Sequence, residues 1–156
     1  MRPVIALFAM IFALAGSVAA AADGSASAVE RWKEDPATIF DASEIDLEDF
    51  KWVARPVIVF ADSDVVPAFG EQIDLFQERM NELVERDVVL ITDTDPAAAS
   101  DLRRKLRPRG FMLTLVGKDG GVKLRKPFPW DVRELTRSID KMPMRQREIR
   151  DSLRSN

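Results

Sequence analysis

The chain has 156 residues, with 23 basic and 26 acidic side chains, and it contains no cysteine and no histidine. These two absences exclude a cysteine nucleophile, a disulfide, a zinc site built from cysteine or histidine, and a histidine-centred triad. Any chemistry must therefore come from carboxylate, lysine, arginine or hydroxyl groups.

The first residues have the pattern of a secretory signal peptide. Arg2 precedes an uninterrupted apolar run from Val4 to Ala15, and small residues follow that run. The run would rise about 18 Å as a helix, which is short of the roughly 30 Å hydrocarbon core of a bilayer. We therefore expect a signal peptide over residues 1–21, cleavage near Ala21, a periplasmic or secreted product, and no permanent membrane anchor. The alternative is a buried apolar helix.

An acidic N-terminal segment is predicted over residues 22–50. Within residues 23–50, nine acidic side chains stand against Arg31 and Lys33. Scattered large apolar residues predict short helical or irregular pieces that place a few side chains against the rest of the protein.

Two buried strands and two helices follow. The continuous apolar runs at residues 57–61 and 88–92 are typical of strands covered on both faces. Between them, apolar residues recur every three or four positions over residues 69–84 and predict one amphipathic helix. Asp95 and Pro96 predict the start of a short helix with Ala99, Leu102 and Leu106 facing inward.

The last elements are a hairpin and a C-terminal helix. Residues 111–116 predict a third strand, and the glycine-rich turn at residues 117–121 leads into an alternating strand at 122–125. A capping pattern at Asp131 opens a helix, and residues 143–156 form a basic helical extension. The order βαβαββα over residues 51–142 predicts an α/β, thioredoxin-like domain with a mixed four-stranded sheet flanked by helices.

Four segments carry a family resemblance: RPVIVFADSD (55–64), RDVVLITDTD (86–95), GFMLTLVGKDGGVKLR (110–125) and IDKMPMRQREIR (139–150). Together they resemble an exported bacterial family of domains of unknown function with a thioredoxin- or peroxiredoxin-like fold. These DUDES-type domains are related to domains in vertebrate secreted matrix proteins that contain sushi repeats. The resemblance implies the fold and export, and it implies no settled activity.

The resemblance to thioredoxins also identifies a degenerate redox loop. Val65, Val66, Pro67 and Ala68 fall where a redox-active member has Cys-Gly-Pro-Cys, and Met112 falls where the cis-proline stands. A cis bond before a residue other than proline costs about 2.5–4 kcal/mol, so we expect a trans bond before Met112. Attack on a disulfide or peroxide by a thiolate needs sulfur. We therefore predict no catalytic residue, no cofactor and no thiol redox activity.

Acidic turns follow the first two buried strands. If these strands are adjacent and parallel, Asp62, Asp64, Asp93 and Asp95 lie at one edge of the sheet, where open α/β sheets bind ligands. Such carboxylates could hold a hard divalent cation that activates water for hydrolysis. The alternative is that these residues cap or bend the starts of helices.

Basic residues concentrate between positions 103 and 126, where nine lysines and arginines stand against Asp119 alone. Lys118, Lys123 and Arg125 could form a patch that binds a polyanion or an acidic partner. We favour the alternative, in which these bases face the acidic residues 23–50. Nucleic acid is not expected, because the chain is net acidic and no aromatic residues alternate with these bases.

Methionine and aromatic residues near the C-terminus allow two interpretations. Met142, Pro143 and Met144, with residues 127–130, could line an adaptable groove for a partner, or they could simply complete the core at the end of a helix.

The sequence as a whole favours an exported, redox-inactive binding or structural module over an enzyme. Its ligand is not identified, and an envelope protein or an acidic polymer is a candidate partner. The alternatives are a hydrolase with a carboxylate metal site and an adhesion or matrix-type module that binds polyanions.

Overall fold

A mixed five-stranded sheet organises the protein in the computed structural model, which describes residues 26–155. The strands are β1 (Ile39–Asp41), β2 (Arg55–Phe60), β3 (Val88–Asp93), β4 (Met112–Val116) and β5 (Val122–Lys126), and they lie in the order β1-β3-β2-β4-β5. β1 and β2 run parallel to β3, whereas β4 is antiparallel to both β2 and β5. The predicted α/β class, a mixed sheet flanked by helices, is confirmed.

The prediction of four strands is wrong by one, because β1 adds a fifth. This strand falls in the segment expected to hold only helical or irregular pieces. It pairs Ile39 with Leu90 and Phe40 with Ile91. Of its three residues only Phe40 is fully buried, so the run is too short to show the two-residue alternation of a strand.

Six helices pack on the sheet: α1 (Ala28–Glu34), α2 (Pro67–Glu78), α3 (Met80–Val84), α4 (Asp101–Leu106), α5 (Val132–Asp140) and α6 (Pro143–Ser155). The single helix predicted over residues 69–84 is two helices, because Arg79 leaves the helical region at φ −131° and ψ 29°. Phe76 and Leu83 are buried on either side of this break. The spacing of apolar residues every three or four positions therefore continues across the break, and it could not reveal that the helix is interrupted at Arg79.

The segment after β3 also differs from its prediction. The Asp95 carboxylate accepts hydrogen bonds from the amides of Ala97 and Ala98, and the turn it caps is a short 3₁₀ segment, Pro96–Ala98. Ser100 then caps α4. Ala99 stands between the two with φ +46° and is exposed, so its predicted inward position is wrong. Leu102 is buried as predicted.

The core has two layers, one on each face of the sheet. On one face, Trp32 and Phe50 pack edge to face, with ring centroids 6.3 Å apart, over Ile58 and Ile91. On the other face, α2, α3 and α5 cover β2, β3 and β4. Because Trp32 and Phe50 belong to the first layer, the core continues across residue 51, where the sequence predicted the thioredoxin-like domain to start.

The predicted signal peptide lies outside the described residues. Within residues 26–155, none of the helices is both long enough and apolar enough to cross a bilayer.

Candidate functional site

The degenerate redox loop lies at the carboxyl end of the sheet, by which we mean the edge where β2 and β3 end. Pro67 is the first residue of α2, which gives the proline the position it prefers in a helix. Val65 leaves 82% of its surface exposed. Met112 lies beside this loop, because it pairs with Phe60 at the end of β2. The described residues contain no cis peptide bond, so the bond before Met112 is trans.

The acidic turns do not form the predicted four-carboxylate cluster. Asp93 is only 3% exposed, and its carboxylate accepts hydrogen bonds from Arg103 Nε at 2.7 Å and from the Ser100 hydroxyl. The Asp95 carboxylate is used as a cap. Asp62 and Asp64 are exposed. In the part of the chain that the structure describes, no three acidic side chains are grouped so that they could hold a metal ion.

Arg103 supplies the counter-charge for Asp93 at this edge of the sheet. Its guanidinium donates to the backbone carbonyls of Ala61 and Asp93, at 2.6 and 2.9 Å, and it lies over the ring of Phe60. Arg103 therefore joins the ends of β2 and β3 and supplies the positive charge beside Asp93 that a metal would otherwise supply.

The predicted basic patch is not one open surface. The Lys118 side chain is only 11% exposed, and its ammonium lies 2.7 Å from Asp87 Oδ2 and 3.0 Å from Glu148 Oε1. Lys123 pairs with Asp119 at 2.7 Å, and this hydrogen bond lowers the pKa of Asp119. The Arg125 guanidinium donates to the Leu106 carbonyl at 2.5 Å.

Within the described residues, five of the nine bases at positions 103–126 pair with an acid, and only one of these pairs uses the acidic N-terminal segment. That pair joins Lys105 to Glu48, at 3.2 Å. The other acidic partners lie at positions 87, 93, 101, 119 and 148.

Sequence analysis missed the most buried charge of the described residues. Arg55 begins β2 with 1% of its surface exposed. Its guanidinium donates to the Arg86 carbonyl and to Glu148 Oε1, both at 2.8 Å, and it lies 3.9 Å from Asp87. An arginine as the first residue of an otherwise apolar strand was the available signal, because a buried charge needs a partner.

Arg55, Asp87, Lys118 and Glu148 form what we call the buried ion cluster, after the buried Arg55 around which the partly exposed side chains of Asp87 and Glu148 are placed. It lies at the amino end of the sheet, where β2 and β3 begin, opposite the degenerate redox loop. Burial alone would raise the pKa of Glu148, but hydrogen bonds from Arg55 and Lys118 outweigh it and hold that pKa below its ordinary value. The cluster fixes α6 against the sheet, although no residue of α6 is fully buried.

A cavity of about 320 Å³ opens beside the buried ion cluster, between the turn at residues 117–121 and the start of α6. We call it the hairpin cavity. Arg55 and Lys118 contribute to its lining, together with Lys123, Arg147 and the sequence Met142-Pro143-Met144. The second part of the predicted methionine and aromatic groove lies elsewhere, since residues 127–130 do not line this cavity. There, the Phe128 and Trp130 rings pack 5.9 Å apart, and Lys126 lies over Trp130.

Comparison with known proteins gives a family and a fold. The model of a family described as a domain of unknown function (DUF4174) matches residues 46–148. No curated protein matches the chain. Similar solved structures come from two Plasmodium species. Prx1a of Plasmodium yoelii, modified at its N-terminus, is 16% identical, with a TM-score of 0.52 over 67% of this chain and 82% of its own.

Two further solved structures are similar to this chain. Thioredoxin peroxidase I of Plasmodium yoelii is 17% identical, with a TM-score of 0.48 over 67% of this chain and 81% of its own. The mitochondrial 2-Cys peroxiredoxin from Plasmodium falciparum is 18% identical, with a TM-score of 0.44 over 62% and 79%. At the identity of the Prx1a match, structural likeness shows the fold alone. The family model covers most of the chain, and the protein is therefore a member of the DUF4174 family with a thioredoxin-like fold.

Proposed function

We propose that this protein is an exported thioredoxin-like binding domain that has no thiol redox activity. One observation carries the proposal: the fold is that of a thioredoxin, yet the whole chain has no cysteine, and Val65 and Ala68 stand at the start of α2 where the resemblance places the reactive sulfurs. Without a thiolate, neither disulfide exchange nor peroxide reduction by cysteine can begin.

At the carboxyl end of the sheet, two of the four candidate carboxylates are not free to act as a general base. The Asp93 carboxylate is held by Arg103, and the Asp95 carboxylate holds two backbone amides. A general base must be within reach of a substrate proton, and both of these groups are used in the protein's own hydrogen bonds. The proposal of export depends on the predicted signal peptide and on the resemblance to an exported family.

Redox inactivity is tested with the purified protein in an insulin-disulfide reduction assay and a peroxide-consumption assay. We expect no turnover above a buffer blank in either assay, with a cysteine-containing thioredoxin and a peroxiredoxin as positive controls. The variant Val65→Cys/Ala68→Cys places two thiols in the same loop and tests whether sulfur was the missing component. Peroxide consumption by the unmodified protein would overturn the proposal.

Export is tested separately by N-terminal sequencing of the protein recovered from its native host. We expect the mature chain to begin between Ala21 and Asp23. Recovery of a chain that still carries Met1 in the membrane fraction would contradict cleavage and indicate an anchor.

A further inference from the structure

The hairpin cavity lies at the end of the sheet opposite the degenerate redox loop, so the resemblance to redox proteins gives it no role. We infer that it binds a small amphipathic anion, that is, one carboxylate-like group on a short apolar body. This inference rests on the proposed binding function and names the site and the chemical class of the ligand.

The charges around the hairpin cavity leave one cation without a partner. Arg55 and Lys118 are neutralised by Asp87 and Glu148, and Lys123 is neutralised by Asp119. These six charges cancel.

Arg147 is an exposed residue that also lines the cavity, and it makes no ion pair and no side-chain hydrogen bond within residues 26–155, whereas its neighbour Arg145 lies 3.4 Å from Glu148. A ligand with a single negative charge would complete the balance. A planar guanidinium can bind a carboxylate through two parallel hydrogen bonds.

The position of Arg147 is fixed by its neighbour in the chain. Glu148 accepts a hydrogen bond from Arg55 and a salt bridge from Lys118, which holds the first turns of α6 beside the turn at residues 117–121. The backbone of Arg147 is therefore placed at the cavity before any ligand arrives. Such pre-organisation lowers the entropy lost on binding.

The apolar part of the lining limits the rest of the ligand. Met142, Pro143 and Met144 form one side of the cavity, and methionine side chains adapt to the shape of what they contact. The volume of about 320 Å³ is at the lower end of the range for small-molecule pockets. A bare inorganic anion would leave the methionines uncovered, and a polymer would not fit inside.

Isothermal titration calorimetry with hexanoate tests the inference. Hexanamide has nearly the same shape without the charge, and acetate has the charge without the apolar body. We expect hexanoate to bind about tenfold or more tightly than hexanamide, since a hydrogen bond to a charged group contributes roughly 1.5–3 kcal/mol. We also expect it to bind about tenfold or more tightly than acetate, because each buried methylene contributes about 0.8 kcal/mol. Equal binding of hexanoate and hexanamide, or tighter binding of inorganic phosphate than of hexanoate, would overturn the inference, as would no binding of hexanoate.

Variants of α6 identify the site. Arg147→Gln should weaken hexanoate binding about tenfold and leave hexanamide binding unchanged. The matched control is Arg150→Gln, which removes an exposed arginine from the same helix outside the cavity lining. Equal effects of the two substitutions would contradict the assignment.

Met144→Ala should reduce the preference for hexanoate over acetate, with Leu153→Ala as the exposed control on the same helix. Failure of these binding tests with no redox turnover would reject the site and leave the proposed function standing.

Discussion

Both ends of the sheet contain a pair between an arginine and a carboxylate, but the segments that supply each pair differ. At the carboxyl end, Asp93 pairs with Arg103, which lies ten positions later in the chain, and the pair joins the ends of two neighbouring strands. At the amino end, Arg55 pairs with Glu148, which lies 93 positions later. The carboxyl end is closed by charges from one short segment, whereas the amino end is assembled from four segments and has a cavity beside it.

This difference distinguishes an end of the sheet whose charges are paired within one short segment from an end that carries a cavity. At the carboxyl end, Arg103 and Asp93 satisfy each other and join the ends of β2 and β3. At the amino end, the buried ion cluster balances its own charge and holds Arg147, which has no acidic partner in the described part of the chain, at the edge of a cavity. Four measurements of stability test this difference between the two ends of the sheet.

The largest effect is expected from Asp93→Ala. The substitution leaves Arg103, whose side chain is 11% exposed, without its counter-charge at the carboxyl end. Breaking a buried pair on one side costs about 4 kcal/mol of unfolding free energy. Urea denaturation measures the loss, with Asp62→Ala as an exposed control expected within about 0.5 kcal/mol. A loss below about 1 kcal/mol for Asp93→Ala would mean that this end does not depend on the pair.

A slightly smaller effect is expected from Glu148→Ala at the amino end. Arg55 remains buried but keeps Asp87 at 3.9 Å, so we expect a loss of about 3 kcal/mol. The control is Asp151→Ala, which breaks an exposed pair with Arg154 on the same helix and should cost well under about 1 kcal/mol. If both variants unfold at the same urea concentration, the cluster does not anchor α6.

Lowering the pH should gradually remove the stability that ion pairs at the amino end of the sheet contribute to the fold. A hydrogen bond from Arg86 lowers the pKa of Asp140, and hydrogen bonds from Arg55 and Lys118 outweigh burial to lower the pKa of Glu148 from its ordinary value of 4.5. Because these carboxylates stay ionised in the folded protein while the unfolded chain takes up protons, their stabilisation is complete above about pH 4.5. It is lost as the pH falls through the folded-state values.

The measurement is the free energy of unfolding between pH 7 and pH 3. Glu148→Gln/Asp140→Asn should flatten its fall below pH 4.5, since the variant has no proton to take up at either position. A parent and a variant with parallel pH profiles would show that other carboxylates cause the acid sensitivity.

The smallest effect is expected at the degenerate redox loop. Val65→Ser should change the free energy of unfolding by less than about 0.5 kcal/mol, because the side chain is already exposed and loses no packing. Ile58→Ala in β2, which is fully buried, is the contrasting control and should cost about 3 kcal/mol. A large loss for Val65→Ser would show that the loop is a structural element.

The central strands were predictable because burial on both faces leaves a direct trace in the sequence. The predicted strands at residues 57–61, 88–92 and 111–116 match β2, β3 and β4 to within two residues at each end. β1 was not predictable, because it is held by its pairing with β3 and contains a single fully buried side chain.

For the site residues, what could be predicted depends on how far apart the interacting residues lie in the sequence. The caps at Asp95 and Asp131 were predictable because each carboxylate binds amides two or three residues ahead. Lys118 was identified as basic but assigned to an open patch, since its partners lie about thirty positions away on either side. No local pattern connects such residues, and only the fold brings them together.

The order of the strands places the basic residues of the hairpin at an edge of the sheet, which has a further consequence. β5 lies at one edge of the sheet and carries three basic side chains among its five residues. A free strand edge is a template for pairing with a second molecule, and lysine and arginine on such an edge oppose it because docking would remove water from their charges. The basic side chains of the hairpin therefore oppose pairing between two molecules at this edge of the sheet.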